Sequence, residues 1–174
     1  MASETRKIAV ATVTVSDTRT KETDESGTIL AERLHAAGFS VVEHHIVPDD
    51  PDQVSALVRR FSTSADIDAV VLTGGTGIAP RDNTYEVLEG MFDKHIDGFG
   101  EAFRRLSWDS IGPRAILSRA TAGTIGKVVV FSLPGSPNAV RLAVDSIIAK
   151  MLEHAVALVS GKPVHHHHHP REGH

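Results

Sequence analysis

Cysteine is absent from this chain of 174 residues, which excludes disulfide bonds and thiolate metal sites. No apolar run is long enough to cross a bilayer, and no apolar segment follows the short polar N-terminus as it would in a secretion signal. Basic residues are in the minority, because the formal net charge is -4, whereas a general nucleic-acid-binding protein normally carries a basic surface. These absences predict a cytoplasmic protein that binds neither membranes nor nucleic acids.

The length and composition predict one domain. A chain of 174 residues falls in the size range of a single domain, and an apolar fraction of 41% is ordinary for a globular protein. We expect a single α/β domain over residues 1–163, followed by a His-rich tail over residues 164–174. The five consecutive histidines of the tail leave three interpretations open: a native segment, a purification tag or a metal-binding segment.

Short apolar runs alternate with segments of helical periodicity along the chain. This order predicts a three-layer α/β/α fold with a mostly parallel open sheet and helices on both faces. A short turn at residues 123–126 joins the last two strands, so an antiparallel strand is possible there. Strands are expected over Lys7 to Val15, Ser40 to Val47, Asp68 to Thr73, Ala115 to Thr121 and Lys127 to Ser132, and helices over Ser26 to Ala37, from Pro51, over Asn83 to Gly90, Phe99 to Ser107 and Ser136 to Ser160.

The third strand runs into a loop with three glycines, Gly74, Gly75 and Gly77. Glycines allow backbone N–H groups to converge on an anion without obstruction by Cβ atoms. Asn83 and Glu86 have the spacing of a capping box, so a helix N-terminus follows and favours negative charge nearby. The spacing matches neither a Walker A loop nor the dinucleotide fingerprint. The loop is therefore a candidate phosphate site, and a strand-to-helix turn without a ligand is the alternative.

Two aspartates have no structural role that the pattern explains. Asp50 precedes Pro51 and suits the N-cap of the second helix. Asp49 is then left over at the carboxyl end of a strand, where a solvated loop aspartate is the alternative. Asp82 is likewise left over, because Asn83 suits the next N-cap.

Four strand ends carry polar or glycine-rich chemistry, and an open α/β sheet brings such ends to one rim. None of the five histidines before the tail is expected there. Two carboxylates beside a phosphate-binding loop predict a Mg²⁺ ion held by acid groups and substrate phosphate. Phosphoryl or nucleotidyl transfer needs positioning and charge stabilisation rather than a protein nucleophile. The rim segments are Ser16 with Asp17, Asp49, Thr73 to Asp82, and Pro134 to Ser136; the excluded histidines are His35, His44, His45, His95 and His154.

Several of these motifs occur in the order found in one known family. They are Val47-Pro48-Asp49, then Thr73-Gly74-Gly75-Thr76-Gly77 with Pro80-Arg81-Asp82, then Leu133-Pro134-Gly135-Ser136-Pro137-Asn138. Residues 7–160 resemble the molybdopterin adenylyltransferases of molybdenum cofactor biosynthesis, of MogA/MoaB type, which include the G domains of gephyrin and of its plant counterpart. The compact chain is closer to the MoaB branch.

The resemblance implies a reaction in which ATP and molybdopterin give adenylylated molybdopterin and pyrophosphate with Mg²⁺. It implies a homotrimer or hexamer. It assigns catalysis and metal binding to Asp49 and Asp82. The implied substrate-binding residues are Ser16, Asp17, Thr73, Gly74, Gly75, Thr76, Gly77, Glu101, Ser107, Pro134, Gly135 and Ser136.

Two other functions remain open at this point. One is a carrier that binds molybdopterin without efficient adenylylation, which would not need the two aspartates. The other is a scaffold domain, as in receptor clustering by gephyrin, which the lack of a second domain disfavours.

Overall fold

The computed structural model describes residues 6–161, and these residues build one six-stranded sheet with the spatial order β2-β1-β3-β6-β5-β4. The first four strands in this order are parallel, and β5 runs antiparallel to both β6 and β4. The strands are β1 Ala9–Val15, β2 Ser40–Val47, β3 Ala69–Thr73, β4 Lys94–His95, β5 Thr121–Ile125 and β6 Val128–Leu133. The predicted mixed, mostly parallel sheet is confirmed.

Helices cover both faces of the sheet, as the three-layer prediction requires. The helices α1, α4, α5 and α6 pack into one core, and α2 and α3 pack into the other. The helices are α1 Glu25–Ala36, α2 Pro51–Ser62, α3 Thr84–Glu89, α4 Asp97–Ile111, α5 Pro137–Ala143 and α6 Ala149–Ser160. Within residues 6–161, no helix combines the length and apolarity that a membrane span requires.

The central strands are apolar on both sides because both faces of the sheet are covered. Successive residues of β6 alternate between the two cores: Val129 and Phe131 pack on one side, Val128 and Val130 on the other. This period of two follows from the strand geometry, and such strands appear in the sequence as continuous apolar runs. The burial of β1, β3 and β6 therefore fixes the register of the strands whose ends form the candidate site.

Two helix starts follow from their N-caps. The Asp50 carboxylate accepts the N–H groups of Asp52 and Gln53 and opens α2 as predicted. Ser136 accepts the N–H of Ala139 and opens α5. Asn83 occupies the N-cap position of α3, but its side chain makes no capping hydrogen bond. The predicted capping box is therefore wrong in its chemistry although right in its position.

The segment before the hairpin differs from the prediction. The expected strand from Ala115 to Thr121 begins inside a 3₁₀-helix, Gly112–Leu117, continues through residues 118–120 without regular structure, and becomes β5 only at Thr121. Pro113 suits the first turn of such a helix because it has no N–H to donate. The hairpin turn then lies at Gly126, whose φ is +58°.

Two smaller corrections concern the segments on either side. Residues 91–98, which lie between two predicted helices and carry no predicted strand, contain the short edge strand β4. The helix expected from Ser136 to Ser160 is interrupted by a π-helical segment, Val144–Ile148. The predicted His-rich tail lies outside the described residues.

Candidate functional site

The glycine-rich loop presents a row of unpaired backbone donors. Gly74 and Gly75 have φ values of +101° and +69°, a backbone conformation that residues with a Cβ rarely adopt. Within residues 6–161, the N–H groups of Gly75 to Ile78 find no protein acceptor. Successive unpaired N–H groups form a concave anion site of the kind called a nest. The loop therefore has the donors that the sequence predicted for a phosphate.

The loop is docked onto the end of β6. The hydroxyl of Thr73 donates to the carbonyl of Pro134 at 2.9 Å, and the N–H of Gly74 donates to the carbonyl of Leu133 at 2.9 Å. A Cβ added to Gly135 would lie 3.4 Å from the Cα of Gly74. The structure thus brings two predicted segments, Thr73 to Gly77 and Pro134 to Ser136, into direct contact.

Asp49 lies under the loop. Its Oδ1 accepts the N–H of Asn83 at 3.2 Å, and a Cβ added to Gly75 would lie 2.9 Å from its Oδ2. Burial raises the pKa of Asp49 above its ordinary value of 3.8, and the neighbouring charges of Asp82 and Glu86 raise it further, against the opposing hydrogen bond from Asn83. A second negative charge nearby makes this site favourable for a cation.

Asp82 closes the loop from its far end. Its Oδ2 accepts the N–H of Ala79 at 3.0 Å, and a Cβ added to Gly77 would lie 2.6 Å from the same oxygen. The prediction that Asp49 and Asp82 have no structural role is therefore wrong, because each accepts a backbone N–H group of the loop. A carboxylate held by a backbone donor is positioned as well as charged.

The first-strand pair lies on the same rim. Asp17 accepts the N–H of Asp49 at 2.9 Å and forms an ion pair with Arg81. Ser16 accepts the N–H groups of Thr18 and Arg19, so its hydroxyl oxygen shapes the turn after β1. The structure places Asp17 beside Asp49, and it places Ser16 at the edge of a neighbouring polar cavity.

A separate cavity of about 170 Å³ opens on the other side of Pro134. Its lining is mainly apolar and includes four serines, so it suits a flat ring. The structure places the predicted Ser107 in this cavity, whereas Glu101 is exposed on α4 and is not part of the lining. The lining residues are Phe103, Ser107, Ser110, Ile111, Ser118, Pro134, Ser136, Asn138, Ala139 and Leu142.

One histidine comes closer to the rim than predicted. Asp24, the N-cap of α1, is buried and lines the polar cavity beside Ser16 and Gly74. Its Oδ2 contacts the hydroxyl of Thr14 at 2.7 Å and the Nε2 of His44 at 2.9 Å. The expected exclusion of all histidines therefore needs correction for His44, which reaches the site through Asp24.

Two further residues of the site were missed by sequence reasoning. Thr84 Oγ1 is buried directly beneath Gly75 and has no hydrogen-bond partner among the described residues. Arg119 binds carbonyl groups of the loop from behind. Neither stands out in the sequence, because Thr84 is an ordinary helix-start residue and Arg119 lies inside the segment predicted as a strand, Ala115 to Thr121.

The arrangement explains what the site can bind. Polar donors and carboxylates surround the glycine-rich loop, and a ring-sized cavity lies beside it. A family described as a probable molybdopterin binding domain matches residues 11–154. The chain belongs to this family of molybdenum cofactor biosynthesis proteins.

The relatives and solved structures agree with that membership. Molybdenum cofactor biosynthesis protein B from Bacillus cereus is 50% identical over 143 residues, which cover 82% of this chain and 85% of the relative. A crystal structure of molybdenum cofactor biosynthesis protein B has a TM-score of 0.87 at 45% identity and covers 90% of this chain and 98% of its own. The molybdopterin biosynthesis enzyme MoaB from Thermus thermophilus has a TM-score of 0.80 at 33% identity and covers 90% and 98%. The resemblance inferred from the motifs and the expected fold class are both confirmed.

Proposed function

We propose that this protein adenylylates molybdopterin, transferring AMP from ATP to the terminal phosphate of molybdopterin and releasing pyrophosphate. The observation that carries the proposal is the row of four unpaired loop N–H groups with the Asp49 carboxylate beneath it and the Asp82 carboxylate at its far end. A site for a neutral pterin alone would not need both features. Family membership supports molybdopterin as one substrate, and the resemblance in the motifs supports ATP as the other.

The carboxylates fit a Mg²⁺ ion better than they fit a bare anion. Negative charges on Asp49 and Asp82 would repel a triphosphate unless a cation lay between them. The unpaired hydroxyl of Thr84 adds an oxygen next to Asp49. Within residues 6–161, no group of three acidic or histidine side chains converges into a metal site, so phosphate oxygens would have to complete the ligand set, as is usual for Mg²⁺.

Asp49 and Asp82 would hold this ion, which would neutralise charge on the phosphates during transfer. The protein's own groups do the positioning. The loop N–H groups bind phosphate oxygens, and the cavity beside Pro134 holds the pterin so that its phosphate faces the loop. In the transfer, a phosphate oxygen of molybdopterin forms a bond to the α-phosphorus as the bond to pyrophosphate breaks, so no protein side chain has to accept a proton.

A carrier that binds molybdopterin without turnover is the competing function. It would need the cavity and the loop, and the backbone hydrogen bonds of Asp49 and Asp82 would serve it as well. It would have no use for the negative charge of Asp82, which adds to burial in raising the pKa of Asp49. The presence of both acids in spite of this repulsion favours the enzyme.

The decisive experiment is pyrophosphate release from ATP, with molybdopterin and Mg²⁺ present or omitted one at a time. We expect release only with all three. Tight binding of molybdopterin without any release of pyrophosphate would establish the carrier instead.

We also propose that the protein self-associates, as a trimer or hexamer. The resemblance motivates this, and an exposed apolar patch at the end of α4 supports it: Trp108, Ile111, Ile116 and Leu117 are all at least 49% exposed. Light scattering should give a mass of three or six chains, and Ile116→Asp should reduce it. A monomer at micromolar concentration would contradict the proposal.

A further inference from the structure

Arg119, which immediately precedes Ala120 and β5, reaches across to the glycine-rich loop. Its Nε and Nη2 donate to the carbonyl of Gly77 at 3.0 and 2.6 Å, and Nη2 also donates to the carbonyl of Asp82 at 3.2 Å. Its own backbone N–H donates to the carbonyl of Thr76 at 3.2 Å. One residue therefore binds three carbonyl groups of the loop.

These contacts decide which way the loop's N–H groups point. In a trans peptide the carbonyl and the N–H point in opposite directions. Carbonyls of Thr76 and Gly77 that face Arg119 consequently turn the N–H groups of Gly77 and Ile78 away from it, and both N–H groups are among those without a protein acceptor. Arg119 thus lies behind the loop and orients donors that face the ligand.

The same geometry links Arg119 to Asp49. In the peptide between Asp82 and Asn83, the carbonyl accepts a hydrogen bond from Arg119, and the N–H donates to Asp49 Oδ1 at 3.2 Å. A rotation of that peptide would break both hydrogen bonds. The position of the Asp49 carboxylate is therefore coupled to the guanidinium through a single planar unit.

Arg119 is itself held in place from two sides. It forms an ion pair with Glu86 on α3, and its guanidinium carbon lies 4.9 Å from the ring centre of Tyr85. Planar guanidinium groups suit such combined stacking and forked hydrogen bonding, which an ammonium group cannot reproduce. The Arg119 side chain is 25% exposed, and its hydrogen bonds to the loop carbonyls are partly buried, whereas the Glu86 side chain lies more open to water.

We propose that Arg119 is a positioning residue for the phosphate site, fixing the glycine-rich loop and Asp49 in their binding geometry with Glu86 as its orienting partner. This inference rests on the proposed function for its ligand, since it takes the loop to bind a phosphate. It adds a residue that acts through others and does not itself touch the substrate.

The test compares Arg119→Gln, Arg119→Lys and Glu86→Gln with Arg59→Gln as a control, because Arg59 is an exposed arginine in the last turn of α2, at the other end of that helix from Asp50. The first measurement is amide hydrogen exchange in the unliganded protein. We expect Asn83 to exchange about tenfold faster in Arg119→Gln, with smaller changes in Arg119→Lys and none in the control. Unchanged exchange at Asn83 in Arg119→Gln would overturn the inference.

The second measurement is the affinity for inorganic pyrophosphate with Mg²⁺, by titration calorimetry. Arg119→Gln should bind about tenfold more weakly, and Arg119→Lys should recover part of the loss. Glu86→Gln separates positioning from direct contact, because removing a negative charge near a bound anion should tighten binding if Arg119 touches the anion. Positioning predicts that Glu86→Gln binds about threefold more weakly, and tighter binding would overturn the inference.

These measurements do not depend on turnover. If the wild-type protein releases no pyrophosphate from ATP and molybdopterin, the proposed function fails while exchange and affinity still decide the role of Arg119. If the wild type is active, Arg119→Gln should lower kcat more than it changes the KM for molybdopterin, because the cavity beside Pro134 does not contain Arg119. An unchanged kcat in spite of faster exchange would also contradict the inference.

Discussion

The rim of the sheet has two unlike halves. The carboxylate side comprises Asp17, Asp49 and Asp82 around the glycine-rich loop, and hydrogen bonds to backbone groups hold each of these acids. The cavity side is the cavity beside Pro134, where packed side chains such as Phe103 set the shape. The carboxylate side presents charged groups in fixed orientations, whereas the cavity side presents a space into which a ring can fit. The difference indicates that a charged part and a flat part of the ligands are recognised by separate physical means.

Gly75→Val is the substitution that should disrupt the carboxylate side most. The new side chain would overlap Thr84 Oγ1 and approach Asp49, and the φ of +69° would be strained by about 1–3 kcal/mol. We expect loss of molybdopterin affinity and of activity by more than a hundredfold, measured by titration and pyrophosphate release.

Gly38→Val is the matched control for this substitution, because Gly38 also has a positive φ, +93°, but has nothing within 4 Å of an added Cβ. It should lose only the stability that the strained φ costs and keep its activity. Unchanged molybdopterin affinity in a folded Gly75→Val variant would contradict the assignment of the loop.

Charge on the carboxylate side is tested by Asp49→Asn and Asp82→Asn. Asparagine can still accept the backbone hydrogen bond, but it cannot supply the negative charge for Mg²⁺. We expect turnover to fall roughly a hundredfold, which corresponds to about 3 kcal/mol of lost transition-state stabilisation, with little change in thermal melting.

Asp50→Asn is the control, since asparagine is as good an N-cap as aspartate and Asp50 is the capping residue beside Asp49. Wild-type turnover in both Asp49→Asn and Asp82→Asn would refute the two-carboxylate mechanism. A large drop in melting temperature would instead make these aspartates primarily structural.

The cavity side is probed by Ser107→Leu. Ser107 is buried in the cavity wall, so a larger side chain should occupy space needed by the pterin. We expect the KM for molybdopterin to rise about tenfold, or about 1.4 kcal/mol, while the KM for ATP stays the same. Ser107→Ala removes the hydroxyl without filling the cavity and should have a smaller effect. An equal rise in both KM values would show that the two halves are not separate.

The smallest expected effect is on pH dependence. The pKa of Asp49 is raised by burial and by nearby acids, so activity that needs the carboxylate should decline on acidification at a pH above its ordinary pKa of 3.8. Excess Mg²⁺ should move that decline to lower pH, since a bound cation favours the ionised form. If the pH profile is the same at two Mg²⁺ concentrations, Asp49 does not bind the metal ion.

The same raised pKa has a consequence for stability. Because the folded-state pKa exceeds the unfolded-state pKa, ionisation of Asp49 costs stability as the pH rises through the folded-state value. Asp49→Asn removes this cost, so its stability relative to the wild type should improve between acidic and neutral pH. Thermal melting of both proteins across that range measures the difference.

The strands that form the rim were predictable because their signals are local. The buried strands β3 and β6 are mainly apolar runs, and β1 is a run of alanine, valine and threonine. Asp50 with Pro51 marks a helix start by chemistry that needs no distant partner. The segment around Ala115 was mispredicted because its apolar residues fit a 3₁₀-helix as well as a strand. Short apolar runs do not distinguish these states by periodicity alone.

The sequence by itself determined the layered fold, the donors of the glycine-rich loop and the convergence of four strand ends, because glycine, proline and apolar periodicity act over a few residues. Only the tertiary structure decided that Asp49 and Asp82 hold the backbone of the loop and that His44 reaches the rim through Asp24. It also decided that Arg119 supports the loop from behind. The hydrogen bonds of Asp24, Asp49 and Arg119 join residues about 20 to 42 positions apart in the sequence. The hydrogen bond of Asp82 is local, because it closes a turn of the loop. Directional contacts depend on the packing of the whole sheet, which local patterns do not encode.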